Sequence, residues 1–388
     1  MFKILTLNNI SVRGLERLPR DRYEIASEIQ HPDAVLLRSF KMHNWEIPPT
    51  LKAVGRAGAG VNNIPIAKMS ARGIPVFNAP GANANAVKEL VITCLLVSMR
   101  NLFSAWDYTR HLSGSDEEIS KQVEAGKKQF VGYELAGRTL GIIGLGAIGV
   151  KVANAADALG MKVIGFDPHI TVNNAWQLSS NVKQASSVED VLARCEFVSV
   201  HVPLVDDTRN MISADRLRNV AKGLIILNFS RDGIVDDVAV CEAIKTGKVK
   251  SYFTDFPTQS LIKHEHVFAL PHLGASTEEA EENCAVMVAD QVRDFLEDGT
   301  IKNSVNFPEM FMSRSEGAYR LLVVNSNVPH MIERISSAIA KANLNILDML
   351  NRSRGDIACT LVDVSNPIPQ SVLDEIAAIE GVLTARSL

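Results

Sequence analysis

The sequence predicts an α/β protein of three parts: a small parallel α/β domain, a doubly wound parallel sheet, and a terminal module of ferredoxin-like strand order. Three observations predict it. Short aliphatic strands alternate with helical stretches over the first ~90 residues. Residues 137–271 repeat that alternation around a turn punctuated by glycines. After residue 318 the order changes to strand, helix, strand, strand, helix, strand.

In the first part the strands are "KILTLN", "YEIAS", "AVLLRS", "LKAVGRAG" and "IPVFNAP". A long helix from Ala86 to Leu112 is expected next, because Val87, Leu90, Thr93, Cys94 and Val97 make one mostly apolar face. The second part carries "TLGIIG", "KVIGFD", "FVSVHV", "LIILNFS", "SYFTDF" and "VFALPH". These strands end in polar residues: Asp167, His201, Ser230 with Arg231, Asp255, and His272. Ligands of doubly wound sheets bind beyond the carboxyl ends of the strands, so this row is a candidate site. The stretch "NSVNFPEMFMSRSEG" reads as a linker, and "AYRLLVVNSN" opens the terminal module.

Composition excludes several classes. With 46% hydrophobic and 22% charged residues the chain is ordinary for a globular protein, and a net charge of −4 leaves no basic footprint for nucleic acid. The longest apolar stretch, "LVITCLLVSM", is too short to span a bilayer. Five scattered cysteines show no paired spacing, which places the protein in a reducing compartment, the cytoplasm, and argues for no metal.

The segment "TLGIIGLGAIG" sits where an aliphatic strand turns into a helix. Gly144 allows the tight turn, Gly146 lets backbone approach a pyrophosphate, and Gly149 lets the helix pack close to the strand. Amides of Ala147, Ile148 and Gly149 open the helix and face the phosphates. Asp167 lies 18 residues past Gly149, where a carboxylate accepts hydrogen bonds from an adenosine ribose and repels a 2′-phosphate. The pattern therefore favours NAD over NADP.

Six ordered stretches, "GRAGAGVNNI", "PGANANAVKEL", "GIIGLGAIG", "HVPLVDDTRNMI", "NFSRDGIVDD" and "PHLGAST", make the chain resemble the D-2-hydroxyacid dehydrogenases over nearly its whole length. The terminal module is similar to ACT regulatory domains. The resemblance implies a Rossmann-type NAD domain (89–274) inserted in a smaller flavodoxin-like substrate domain (1–88 and 275–305). A linker (306–317) and an ACT domain (318–388) follow. It implies NAD contacts from His201, Pro203, Thr208, Phe229, Ser230, Arg231, Asp255, His272 and Gly274, besides the glycine turn and Asp167.

For chemistry, the resemblance makes Arg231 the residue whose planar fork holds carboxylate and carbonyl oxygens. His272 becomes the acid/base, since imidazole exchanges protons near neutral pH. Gln259 falls where the family has a glutamate paired with that histidine; it can accept a hydrogen bond but brings no charge, and Glu265 is a substitute candidate. Arg38, Ser39 and Lys41 combine basic and hydroxyl groups suited to a phosphate, backbone around Ala59 and Gly60 is expected to meet a carboxylate, and Asn83 is expected to contact substrate too. The implied reaction is oxidation of a phosphorylated 2-hydroxy acid, 3-phosphoglycerate, in serine synthesis. L-Serine is the implied effector, at Asn325, Asn327 and Asn345, with His330 standing where the family has glycine. A homodimer or homotetramer is expected. Two other readings stay open: a dehydrogenase for a different 2-hydroxy acid, and an NAD-sensing binding module with catalysis weakened by Gln259.

Overall fold

Five aliphatic runs form the first sheet: β1 (Phe2–Leu7), β2 (Tyr23–Ala26), β3 (Ala34–Leu37), β4 (Ala53–Arg56) and β5 (Val76–Phe77). All neighbours are parallel and the order is β2-β1-β3-β4-β5, the flavodoxin-like arrangement. Every residue of β3 is buried, as expected for a parallel strand covered on both faces. The helix Glu278–Asp298 covers one face, where Val288, Val292 and Phe295 join Ile4, Leu36 and Phe77. Val35, Leu37 and Val54 pack on the other face.

The computed structural model describes residues 1–388 and divides into two compact units, Met1–Asn83 with Glu278–Leu388, and Ala84–Thr277. The second unit holds β6 (Thr139–Ile143), β7 (Lys162–Phe166), β8 (Lys183–Gln184), β9 (Phe197–Val200), β10 (Leu224–Asn228), β11 (Val249–Thr254) and β12 (Val267–Ala269). They are parallel in the order β12-β11-β10-β9-β6-β7-β8, the doubly wound dinucleotide-binding order with one strand added at an edge. The two-residue β8 was not readable, because Lys183 and Gln184 are exposed and carry no apolar pattern.

The long helix expected from Ala86 to Leu112 is two helices, Ala84–Arg100 and Leu102–Arg110. Asn101, in left-handed backbone at φ 50°, breaks it, a conformation that asparagine tolerates better than most residues. The first helix buries Val87, Val91, Cys94 and Leu95 in the core of the second unit. The chain therefore passes between units at Asn83 and at Thr277, not at 88 and 274.

The terminal module has β13 (Tyr319–Ser326), β14 (Ile346–Arg354), β15 (Ile357–Val364) and β16 (Val382–Ser387), antiparallel in the order β14-β15-β13-β16. With its two helices this is the ferredoxin-like βαββαβ fold. Leu321, Val323 and Val362 face the module's helices, while Leu322, Val324, Cys359 and Leu361 share a core with Phe77 and Phe295 of the amino-terminal sheet and its covering helix. Both faces are covered, so all eight residues of β15 are buried, and the module belongs to the first unit instead of standing apart. Residues 306–317 are likewise no loose tether: Phe307, Met310 and Met312 are buried in that shared core.

Arginines fasten this junction. Arg320 and Asp363 form a fully buried two-point ion pair (Nε to Oδ1 2.6 Å, Nη2 to Oδ2 2.7 Å), and Arg320 Nη1 donates to the Met312 carbonyl at 2.8 Å. Arg386 donates to the carbonyls of Phe295 and Leu296 at 2.7 and 3.0 Å, at the carboxyl end of the covering helix, where a cation also meets the negative end of the helix dipole.

Candidate active site

In the second unit the candidate residues gather at the carboxyl ends of the strands. After β6 the chain turns at Gly144, with φ 93°, and a Cβ there would lie 2.6 Å from the His201 carbonyl oxygen. Only glycine fits. Gly149 is pressed harder: its Cβ would meet the Gly144 carbonyl oxygen at 1.9 Å. Gly146 is the opposite case, with nothing within 4 Å of the Cβ position. It caps the helix Ala147–Ala158, so Ala147, Ile148 and Gly149 supply free first-turn amides beside open space. Asp167 closes the loop from β7, accepting the amides of Leu145 and His169, each at 2.8 Å.

From β9, His201 lies with its ring buried and its Nε2 2.8 Å from Ser199 Oγ, while Nδ1 has no partner. Burial pulls its pKa down to about 4, so it is neutral at physiological pH. Thr208 Oγ1 donates to the Pro203 carbonyl at 2.6 Å and accepts the Val205 amide at 2.8 Å, fixing the following loop. From β10, Phe229 is buried, and Ser230 hydroxyl donates to the Val202 carbonyl. Arg231 is exposed, with Nη1 donating to the Ser230 carbonyl at 2.7 Å.

Asp255, at the end of β11, is buried; one oxygen accepts the Gly274 amide at 2.8 Å and the other has no partner. Burial raises its pKa, with the Gly274 amide opposing the rise. His272 is exposed, its ring centroid 5.0 Å from that of Phe256. Gln259 does not join it. Thr258 donates to Asp237 at 2.7 Å and anchors that turn, leaving Gln259 exposed. Glu265 is exposed too, so neither expected partner is paired with the histidine.

In the first unit, the loop after β3 is locked through main chain. The Arg38 carbonyl accepts from Arg56 Nε and Asn63 Nδ2, both at 3.1 Å, and the Ser39 and Phe40 amides donate to Asn8 Oδ1. Arg38 Nη1 reaches Glu281 Oε1 at 2.7 Å, and Lys41 is exposed. The Ala59 carbonyl accepts from Asn78 at 2.6 Å, Gly60 lies beside it, and Asn83 ends the unit half-buried.

In the terminal module Asn325 is buried; its Nδ2 donates to the Ser326 carbonyl at 2.7 Å and its Oδ1 has no partner. Asn327 Nδ2 donates to the Gly355 carbonyl at 3.0 Å. Asn345 is not brought to them. Its carbonyl accepts the Ser365 amide at 3.1 Å, beyond the pair Tyr319–Val364 at the start of β13, whereas Asn325 pairs with Ala358 at the other end. A strand of that length separates them by roughly 20 Å. His330 takes left-handed backbone at φ 68°, a conformation glycine adopts freely, and its exposed ring turns to Glu333 at 3.0 Å.

Sequence reasoning missed Asn228, Asn63, Arg56 and Glu281. Asn228 is buried in β10 and braces the arginine turn, donating to the Arg231 carbonyl at 2.9 Å and accepting the Ser230 amide at 3.2 Å. An asparagine closing the run "LIILN" was a readable signal, since a polar residue in a buried strand needs partners.

Comparison with known proteins agrees with this geometry. The profile of the D-isomer specific 2-hydroxyacid dehydrogenase NAD-binding domain matches residues 102–274. A D-3-phosphoglycerate dehydrogenase of Haemophilus influenzae is 34% identical over 354 residues, spanning 88% of this chain and 82% of the relative. This chain belongs to the D-2-hydroxyacid dehydrogenases, in the D-3-phosphoglycerate dehydrogenase branch.

A Bacillus subtilis D-3-phosphoglycerate dehydrogenase is also 34% identical, over 80% of this chain but 60% of its own length. The crystal structure of an NAD-bound 3-phosphoglycerate dehydrogenase from Entamoeba histolytica matches with a TM-score of 0.60 at 27% identity, covering 80% of this chain and 99% of that one. The chain is thus an NAD-dependent oxidoreductase, and its residues fit the cofactor. Gly146 leaves backbone open for the phosphates, and the Asp255 oxygen and His201 Nδ1 that lack a protein partner are buried polar atoms open to a ligand or to water.

Proposed function

We propose that this chain oxidises 3-phospho-D-glycerate to 3-phosphohydroxypyruvate with NAD, the first step of L-serine synthesis, and that its terminal module answers to L-serine. The observation that carries the substrate is the locked loop bearing Arg38, Ser39 and Lys41. A guanidinium, a hydroxyl and an ammonium on a fixed backbone suit a phosphate, and such charge-assisted bonds are about twice as strong as neutral ones. Backbone around Ala59 and Gly60, with Asn83, is the first unit's other candidate for substrate contact.

In the second unit Arg231 holds the substrate's carboxylate and carbinol oxygens through its planar fork. His272 takes the hydroxyl proton on a ring nitrogen and later releases it. When bound, NAD supplies the hydride acceptor. Asn228 keeps the Arg231 turn in shape. Gln259, exposed and unpaired, has no part in proton transfer, and packing on Phe256 orients the histidine instead.

The separation of Asn345 from Asn325 and Asn327 supports an effector site completed by a second copy of the chain. In the second unit Leu102, Phe103 and Trp106 on one short helix, with Val131 and Tyr133, are exposed, and an apolar patch of this kind supports a dimer through that unit as well. Two such contacts per chain give a tetramer. We place the enzyme in the cytoplasm, on its five unpaired cysteines.

The test is a panel of 2-hydroxy acids with NAD or NADP, read by reduced-cofactor absorbance and repeated with millimolar L-serine. Turnover of 3-phosphoglycerate with NAD, inhibited by serine, is expected. Preference for an unphosphorylated acid removes the substrate assignment, and indifference to serine removes the regulatory one.

A further inference from the structure

We propose that Glu281 sets the affinity for the phosphorylated substrate by competing with its phosphate for Arg38. The inference rests on the phosphate reading of Arg38 given above. Arg38 Nη1 and Glu281 Oε1 are 2.7 Å apart, with side chains 40% and 45% exposed. The pair is therefore open to an incoming anion, and a half-exposed pair of this kind holds by only about 0.2–1 kcal/mol.

Both ends of the pair are fixed at the backbone. The Arg38 carbonyl is held by Arg56 and Asn63, so the guanidinium can change partner while the loop stays in place. Glu281 stands in the first turn of the helix Glu278–Asp298 with Glu278 and Glu279. The positive end of the helix dipole stabilises a carboxylate there without any cation. Releasing Arg38 thus leaves Glu281 in a favourable position at the helix start, ready to take the guanidinium back. A phosphorylated acid must take Arg38 from Glu281 before its phosphate can pair, whereas an acid lacking the phosphate leaves the pair undisturbed. Glu281 acts only through Arg38, by occupying its guanidinium, so it determines specificity and takes no part in hydride or proton transfer.

The experiment uses the full chain and four forms: unaltered, Arg38→Ala, Glu281→Gln and the double variant. The Michaelis constant for 3-phosphoglycerate and the inhibition constant of D-glycerate are measured for each. Glu281→Gln is expected to lower the first by about fivefold, the upper end for an exposed pair, and to leave the second in place. Arg38→Ala should raise the first selectively, and the gain from Glu281→Gln should vanish in the double variant. Glu281→Asp, which keeps the charge, should behave like the unaltered chain and guards against a merely structural effect. If Arg38→Ala is selective but Glu281→Gln brings no gain, the competition is overturned while the phosphate reading stands. A gain that persists in the double variant also overturns it. If Arg38→Ala affects both ligands alike, the phosphate reading fails and carries the proposal down with it.

Discussion

Gly146 and Gly149 stand three residues apart in one turn, and their substitution by alanine should have opposite consequences. At Gly146, φ is −76° and the Cβ position is open. Loss of a tolerated helix cap costs up to about 1 kcal/mol, and the stiffer unfolded chain returns about 0.4–1 kcal/mol, so folding stability should stay nearly level. The methyl group would, however, occupy the approach to the pyrophosphate. A 10- to 100-fold loss of NADH affinity, about 1.4–2.8 kcal/mol, is expected. At Gly149 the added carbon would sit 1.9 Å from the Gly144 carbonyl oxygen. Backbone must yield by more than an ångström, which puts the cost at about 3 kcal/mol, the top of the overpacking range. The assay is chemical denaturation of each variant without cofactor, together with NADH titration by fluorescence. Unimpaired NADH binding by Gly146→Ala, or unaltered stability in Gly149→Ala, would refute the assignment of roles within the turn.

Asp167→Ala should relax the preference for NAD over NADP by about tenfold, the worth of ~1.4 kcal/mol of ribose contact and phosphate repulsion, read from the ratio of kcat/KM values; an unchanged ratio would move that role elsewhere. For acid stability, His201 is neutral when folded because its pKa falls to about 4, while in the unfolded chain it titrates near 6.5. Its contribution is full above pH 6.5 and is lost as pH falls from there to 4, by about 3 kcal/mol. Urea midpoints at pH 7 and 4.5 should lie closer together in His201→Asn than in the unaltered chain, and an equal separation in both would contradict this. Arg320→Met strands the buried Asp363 carboxylate and should cost about 3–5 kcal/mol, most of it recovered in the double variant with Asp363→Leu; a loss under 1 kcal/mol would show that the junction does not depend on this pair.

Much of the fold was legible because parallel strands buried on both faces read as short aliphatic runs, and each run of the first two sheets became a strand. The dinucleotide turn was legible for a different reason: three glycines there answer three separate steric demands, one tight turn, one open face and one close approach. What escaped the sequence was long-range. "RLLVV" in β13 was readable as a strand, but nothing local says that Leu322 and Val324 would meet Phe77 and Phe295. The helix break at Asn101 was hidden by apolar periodicity running through it. Within the site, alignment of motif spacing put Gln259 beside His272, whereas the bond from Thr258 to Asp237 settles where that turn goes. Pairing of Arg38 with Glu281 joins residues 243 positions apart, beyond the reach of any local pattern.

The central claim is that hydride passes from the carbinol carbon of a phosphorylated 2-hydroxy acid to NAD under the hold of Arg231 and His272. It is tested most directly with 3-phospho-D-glycerate carrying deuterium at that carbon, followed by mass measurement of the reduced cofactor. The account predicts one deuterium per NADH formed, with turnover lost in His272→Ala and in Arg231→Ala while both variants stay folded. Reduced cofactor without the label, or undiminished turnover in either variant, would contradict it.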